Sequence, residues 1–221
     1  MEQSQQQQQV YFDRVAKEFD GHYAAEKPNL FTTVVDRIFR QGMVQRFQYL
    51  MNEVDWTGHS VLDVGCGPGR YMAAILKKGA SHITGIDFAA AMIELARQNL
   101  RSWGLLESQY DLKLGDFLTG EFDRTFDTVL AIGYFDYILG ATALDQHFSR
   151  MLDLANKRVI ASFPYRWSFK TLPRWIWLSL RRCPVQFFSV PDVTSVMQRL
   201  NISKYKIARM SGTILLIAEK N

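Results

Sequence analysis

The sequence predicts a single α/β domain: a doubly wound, mainly parallel sheet of seven strands, helices on both faces, closed by an antiparallel hairpin. Three observations carry this. Short apolar runs alternate with helix-periodic segments from Ser60 to Phe163, the pattern of parallel strands joined by crossover helices. The first run ends directly in a cluster of glycines at 65, 67 and 69. The last two runs are separated only by Ser211-Gly212, a hairpin spacing.

The elements follow in order. Gln5–Gln9 is a low-complexity run, so residues 1–9 are expected to form a disordered polar tail. Val10, Phe12, Val15, Phe19 and Tyr23 recur at helical spacing, and residues 29–54 read as one or two further helices. Strands are expected at 60–64, 82–87, 110–114, 126–132, 158–163, 205–210 and 213–218. Helices are expected at 71–78, 89–103, 143–155 and 190–200. The whole of 10–221 reads as one domain, with a helical lid at 10–55 and an insertion at 165–190 between the fifth strand and the final hairpin.

Composition narrows the function classes. The chain has 221 residues, 48% hydrophobic and 22% charged, which suits one globular domain rather than a disordered chain. Cys66 and Cys183 are the two cysteines. They cannot form a disulfide framework, and no paired Cys/His spacing suggests a metal site. No basic start followed by an apolar core marks a secretory signal, and no apolar run approaches the ~18–20 residues that span a bilayer. The expected location is cytoplasmic. The net charge of +4 is uneven. From Tyr165 onward ten bases face two acids, Asp192 and Glu219, so that stretch carries +8 and the remainder −4. Such a region suits an anionic small molecule, a membrane surface or nucleic acid, or is simply a solvated face.

The chemistry concentrates in Asp63-Val64-Gly65-Cys66-Gly67-Pro68-Gly69-Arg70. A strand running into glycines and then a helix lets backbone approach a ligand closely, because glycine has no Cβ. A dinucleotide fingerprint would place its third glycine at position 70; Arg70 stands there. The GxGxG spacing after Asp63 instead resembles the first motif of the class I S-adenosylmethionine-dependent methyltransferases of small-molecule type. The resemblance extends from about Val10 to Ala218 and is sharpest between Val61 and Tyr137. It implies a Rossmann-like fold, an S-adenosyl-L-methionine cofactor and methyl transfer by in-line displacement, with oxygen the expected acceptor atom.

The resemblance also assigns roles. Asp63, Gly65, Cys66, Gly67 and Gly69 form the loop beside the cofactor's amino-acid part. Asp87, ending the second expected strand, accepts the ribose hydroxyls. Asp116, ending the third, accepts from the adenine amino group. Phe88, Met92 and Phe117 flank the ring, and backbone near Ile132 and Gly133 holds the amine. Each acid also has a plain reading as a turn or helix cap, and Met92 as core. The segments around Tyr11 and Glu18–Asp20 resemble lids of methyltransferases acting on quinone precursors and magnesium protoporphyrin. Tyr11 and Tyr23 would then cover the cofactor. Candidate catalytic groups are Asp136, Tyr134 and His147, with His22 in the lid as a further base. His147 falls mid-helix, where a structural role is the alternative.

The insertion mixes Tyr165, Trp167, Phe169, Trp175, Trp177, Phe187 and Phe188 with Arg166, Lys170, Arg174, Arg181 and Arg182, without an acid. Such a surface would border a partly apolar, anionic acceptor, or rest on a membrane through residues 165–190; helix packing with snorkelling arginines is the alternative. The expected partner is a small-molecule acceptor; no metal and no nucleic acid is expected. The fourth strand lacks the N/D-P-P-Y/F motif of nucleic-acid amino-group methyltransferases. A non-catalytic binding protein built on the same fold remains the rival from another class.

Overall fold

The structure is a computed structural model that describes residues 30–168, 171 and 185–220, with backbone alone for residues 30–40. Among these residues five α-helices surround one sheet: α1 (Leu30–Glu53), α2 (Arg70–Lys77), α3 (Ala90–Ser102), α4 (Ala141–Leu154) and α5 (Val190–Arg199). The strands are β1 (Ser60–Val64), β2 (His82–Asp87), β3 (Tyr110–Leu114), β4 (Phe126–Ala131), β5 (Ala155–Pro164), β6 (Tyr205–Met210) and β7 (Thr213–Glu219). Their order is β3-β2-β1-β4-β5-β7-β6. The first five run parallel, and β7 lies antiparallel between β5 and β6. This is the seven-stranded Rossmann-like arrangement expected from the sequence.

The central strands are apolar at consecutive positions because both faces are covered. On one face Leu62, Val129 and Val159 pack with Phe148 of α4 and Val193 of α5. Their neighbours Val61, Leu130 and Ile160 point the other way, into a second core with Leu50 of α1 and Ile75 of α2. Burying such a side chain is worth about 1.5–3 kcal/mol, so both cores hold the strand ends in a fixed relation.

Some boundaries differ from expectation. The one or two helices expected at 29–54 are a single helix, Leu30–Glu53. β5 begins three residues early because Ala155 already pairs with Phe126, ahead of an irregularity in the β4–β5 register. β4 stops at Ala131, one residue before Ile132, and Gly133 turns away at φ +76°. The α5 start has a capping box: Ser189 Oγ accepts from Asp192 N (3.3 Å), and Ser189 N donates to Asp192 Oδ2 (2.7 Å). The expected lid residues Tyr11, His22 and Tyr23, and Phe169, Lys170, Arg174, Trp175, Trp177, Arg181 and Arg182 of the insertion, lie outside the described residues. No helix among the described residues is long and apolar enough to cross a membrane.

Candidate functional site

From β1 the chain winds outward through β2 to β3, then returns to lay β4 on the other side of β1. Where the winding reverses, the connections diverge and leave a crevice at the carboxyl ends of the strands. The turn at residues 65–69 opens into that crevice. Gly65, Gly67 and Gly69 have φ of +67°, +50° and +79°, a region that costs an L side chain about 1–2 kcal/mol.

The turn is fastened to β2. Gly65 N and Cys66 N donate to Ile86 O at 2.8 and 3.1 Å. Asp87 Oδ2 accepts from Gly67 N (2.9 Å), and its Oδ1 from Ala89 N (3.0 Å). An ionised carboxylate has about four acceptor positions, so Asp87 can pin the loop and still receive ligand hydroxyls. A Cβ at Gly67 would meet nothing within 4 Å among the described residues. A Cβ at Gly65 would lie 2.9 Å from Tyr134 Cδ2; the glycine is needed there because an aromatic ring from the β4 edge rests on it.

Beneath the loop is Asp63, 2% exposed, whose Oδ2 has no hydrogen-bond partner. Burial, reinforced by the charge of Asp87, pushes its carboxyl up to about 8. A buried acid without a full set of partners is expensive and is the kind of group a cationic ligand would return to its charged form. Asp116 follows β3 and accepts on Oδ1 from Leu118 N (2.7 Å) and Thr119 N (3.3 Å). The structure thus brings Asp63, Asp87 and Asp116 to the ends of three adjacent strands.

The apolar candidates divide. Met92 is buried beside Ala89 at the start of α3, and Phe88 is half-buried. Phe117 is buried on the opposite face of the sheet, with Tyr134 edge-on to it at 6.2 Å between ring centroids. Cys66 is a packing residue: it is buried, burial raises its thiol pKa well above the ordinary range, and its Sγ occupies the space a Cβ at Gly85 would need.

The β4 edge supplies the remaining candidates. Ile132 is half-buried. The rings of Tyr134 and His147 lie 5.6 Å apart. Burial, then the charges of Asp116 and Asp87, holds the Tyr134 phenol well above its usual pKa, so it stays protonated. His147 Nδ1 lies 2.7 Å from Ala143 O; a carbonyl can only accept, so Nδ1 carries the proton and Nε2 is the free lone pair. Burial lowers the pKa of this ring, favouring the neutral form. Asp136 is buried in the short turn Phe135–Tyr137, and its carbonyl accepts from Gln186 N at 2.9 Å. Tyr134 and His147 are therefore brought together, while Asp136 belongs to the adjoining turn.

The described ends of the insertion are tied to the same edge. Tyr165 and Phe188 form a parallel bridge, with Arg166 N donating to Phe188 O and Phe188 N to Pro164 O, both at 2.8 Å. Gly140 N donates to Gln186 Oε1 (2.8 Å). Trp167 is 73% exposed.

One cluster was missed from sequence. Arg46 of α1 is buried and donates from Nη1 to Ser162 Oγ (3.0 Å) and from Nε to Tyr71 OH (3.2 Å). Ser162 Oγ also accepts from Gly133 N at 2.9 Å. The signal was available: Gly42, Arg46 and Leu50 are spaced by four and all buried, so an arginine falls on the apolar stripe of a helix. No group of acids, histidines and cysteines among the described residues could hold a metal ion.

Comparison with known proteins agrees with this geometry. A family described as "Methyltransferase domain" matches residues 61–158. The ubiquinone biosynthesis O-methyltransferase of Histophilus somni (strain 2336) is 32% identical over 97 residues, which is 42% of this chain and 40% of that protein. The EEF1A lysine methyltransferase 2 of Mus musculus is 44% identical over 59 residues, 27% of this chain and 23% of the relative. The matches span about two-fifths of the length of the first of these curated relatives and its counterparts. Among solved structures, magnesium protoporphyrin IX methyltransferase (ChlM) from Synechocystis PCC 6803 with bound SAH superposes with a TM-score of 0.75 at 18% identity, covering 96% of this chain and 98% of that one.

Proposed function

We propose that the chain carries a class I S-adenosylmethionine-dependent methyltransferase domain that transfers the methyl group to a small-molecule acceptor, at oxygen, by in-line displacement. The observation that carries this is the glycine turn at the β1–β4 switch point, pinned by Asp87 and underlain by the partner-poor Asp63. Resemblance to O-methyltransferases over part of their length supports the choice of oxygen.

The residues suit the cofactor. The left-handed loop admits the amino-acid part against backbone, Asp87 receives ribose hydroxyls, and Asp116 with Phe117 borders the adenine. When bound, the cofactor supplies a methyl already activated on a sulfonium. The chain's own task is then to orient the acceptor, exclude water and remove a proton. His147, held neutral by burial with Nε2 as its lone-pair nitrogen, is suited to receive a hydroxyl proton. Tyr134, kept protonated, is a donor that positions the acceptor oxygen. Asp136 stays a candidate base through the turn that carries it.

The test has two parts. S-adenosylmethionine and S-adenosylhomocysteine should raise the melting temperature, because they bind only the folded state; NAD should not. A shift with NAD alone overturns the reading. Tritiated methyl transfer to a library of phenols and carboxylic acids then separates an enzyme from a non-catalytic binder.

A second reading, an acceptor met at a membrane surface, is favoured by the exposure of Trp167 beside Arg166. Co-sedimentation with anionic vesicles, lost on Trp167→Ser, would support it; absence of binding removes it.

A further inference from the structure

α4 grips the loop between β3 and β4 at two points, and only one of the two side chains has a role above. His147 stacks on Phe117, with ring centroids 6.5 Å apart and planes at 30°. Three residues further along the same side of the helix, Arg150 donates from Nη2 to the carbonyl of Gly120 at 2.8 Å. Its Nε is buried without a hydrogen-bond partner among the described residues.

The loop that Arg150 holds is closed on itself. Asp116 Oδ1 accepts from Leu118 N and Thr119 N, and Asp116 O accepts from Gly120 N at 2.8 Å. A Cβ at Gly120 would lie 3.0 Å from Asp116 O and 3.0 Å from Ile86 Cδ1, so the turn is drawn tight against β2. Residues 116–120 therefore move as one piece, and fixing the Gly120 carbonyl fixes Asp116. A guanidinium is well suited to this, because its bond to a carbonyl is charge-assisted and its planar fork is rigid. A buried donor left unsatisfied is costly; the guanidinium is set for the loop carbonyl and not for its own fullest pairing.

We propose that Arg150 is a positioning residue: by holding Gly120 it sets where the Asp116 carboxylate stands, and so how strictly the crevice selects adenine over another purine. This deepens the methyltransferase reading and rests on it, because that reading places the adenine against Asp116 and Phe117. Arg150 acts through the loop's backbone. A hydrogen bond weakens steeply as it leaves its line, so a loop freed at Gly120 lets the carboxylate drift from the amino group of the base. The same helix presents His147 to Phe117, so the loop that reads the base and the ring suited to take the proton share one support.

Calorimetry on the full chain tests this by comparing S-adenosylhomocysteine with S-inosylhomocysteine, whose base carries a carbonyl in place of the amino group. Wild type should prefer the adenine about ten- to a hundredfold, the worth of a hydrogen bond to a charged acceptor. Arg150→Met keeps a long unbranched stem and loses the donor. In it the preference should fall about threefold or more, through weaker S-adenosylhomocysteine alone. S-inosylhomocysteine should bind as in wild type, which also shows that the variant is folded. Arg150→Lys keeps a donor and should retain more of the preference than Arg150→Met. If Arg150→Met does not fold, Arg150→Lys carries the test, where losing the fork should lower the preference about twofold or more. An unchanged preference overturns the proposal, and so does an equal loss of both ligands, which is what a merely structural role would give. Wild type that binds both ligands alike overturns it by removing the Asp116 contact. Wild type that binds neither overturns the methyltransferase reading, and this inference with it.

Discussion

The two ends of the central sheet use the same residue types for opposite purposes. At the amino ends, charged groups are paired and largely in solvent. Asp127 accepts from Ser60 N (3.0 Å) and Ser60 Oγ (3.1 Å) and meets Lys157 Nζ at 3.0 Å. The Ser60 backbone N–H holds its carboxyl below the usual range, and Thr57 does the same for Asp55. His82 and Arg124 share Asp111 at 2.9 and 3.2 Å. At the carboxyl ends, Asp63 is buried, lacks a partner on one oxygen and is pushed up to about 8. Asp87 spends its oxygens on loop backbone. Strand geometry is common to both ends, so the contrast is chemical. The abundance of charge does not mark the site; a costly, incompletely satisfied group does.

The largest expected effect concerns Asp63. Its pKa in the folded chain, about 8, is raised above the ordinary 3.8. Between these values the native state holds a proton that the unfolded chain has released, so stability falls as pH rises from about 4 to about 8, by at most ~1.4 kcal/mol per pH unit. Asp63→Asn should flatten this slope and raise ligand-free stability near neutrality. Denaturant melts at several pH values measure it, and an unchanged slope would remove Asp63 as the strained group.

Next is Asp87→Ala. Losing a charged acceptor of ligand hydroxyls should weaken S-adenosylhomocysteine about ten- to a hundredfold. Asp127→Ala, at the other end of the sheet, should leave affinity within about twofold while costing on the order of 1 kcal/mol of stability. Equal effects of the two on binding would erase the distinction between the ends.

A smaller effect separates two loop glycines. Gly65→Ala and Gly67→Ala both incur the left-handed penalty of about 1–2 kcal/mol. Only Gly65→Ala also collides with Tyr134, adding roughly 1 kcal/mol. Tyr134→Ala should close that gap in a double-mutant cycle. A gap that persists would mean the ring does not set the requirement.

The smallest is His147. Burial lowers its pKa, so below about pH 6.5 the unfolded chain takes up a proton more readily than the native one. Stability then falls as pH falls through that range. His147→Gln should lose this part of the acid dependence, as read from melts at pH 5 and 7.

Much of this was legible in the sequence because it depends on local rules. Alternation of apolar runs with helical periodicity located all seven strands, since strands covered on both faces must be apolar at consecutive positions. The GxGxG turn could be read because only glycine tolerates three left-handed positions in five residues. Asp87 and Asp116 could be placed by counting to strand ends. The partners these groups choose could not be read. Asp87 reaches back 20 residues to the nitrogen of Gly67, and Arg46 spans 116 residues to Ser162. Nor could the packing at Gly85 be read, where the missing Cβ makes room for Met72 and Cys66.

The sequence by itself determined the elements, the sheet's two-faced burial and the glycine turn, because these follow from backbone stereochemistry and the period of apolar residues along the chain. Only the tertiary structure decided which carboxylate is left without a full set of partners, which histidine ring meets Tyr134, and that an arginine of the first helix joins a serine of the fifth strand. Those outcomes depend on distances between residues far apart in sequence, which are set when two cores lock helices onto opposite faces of one sheet.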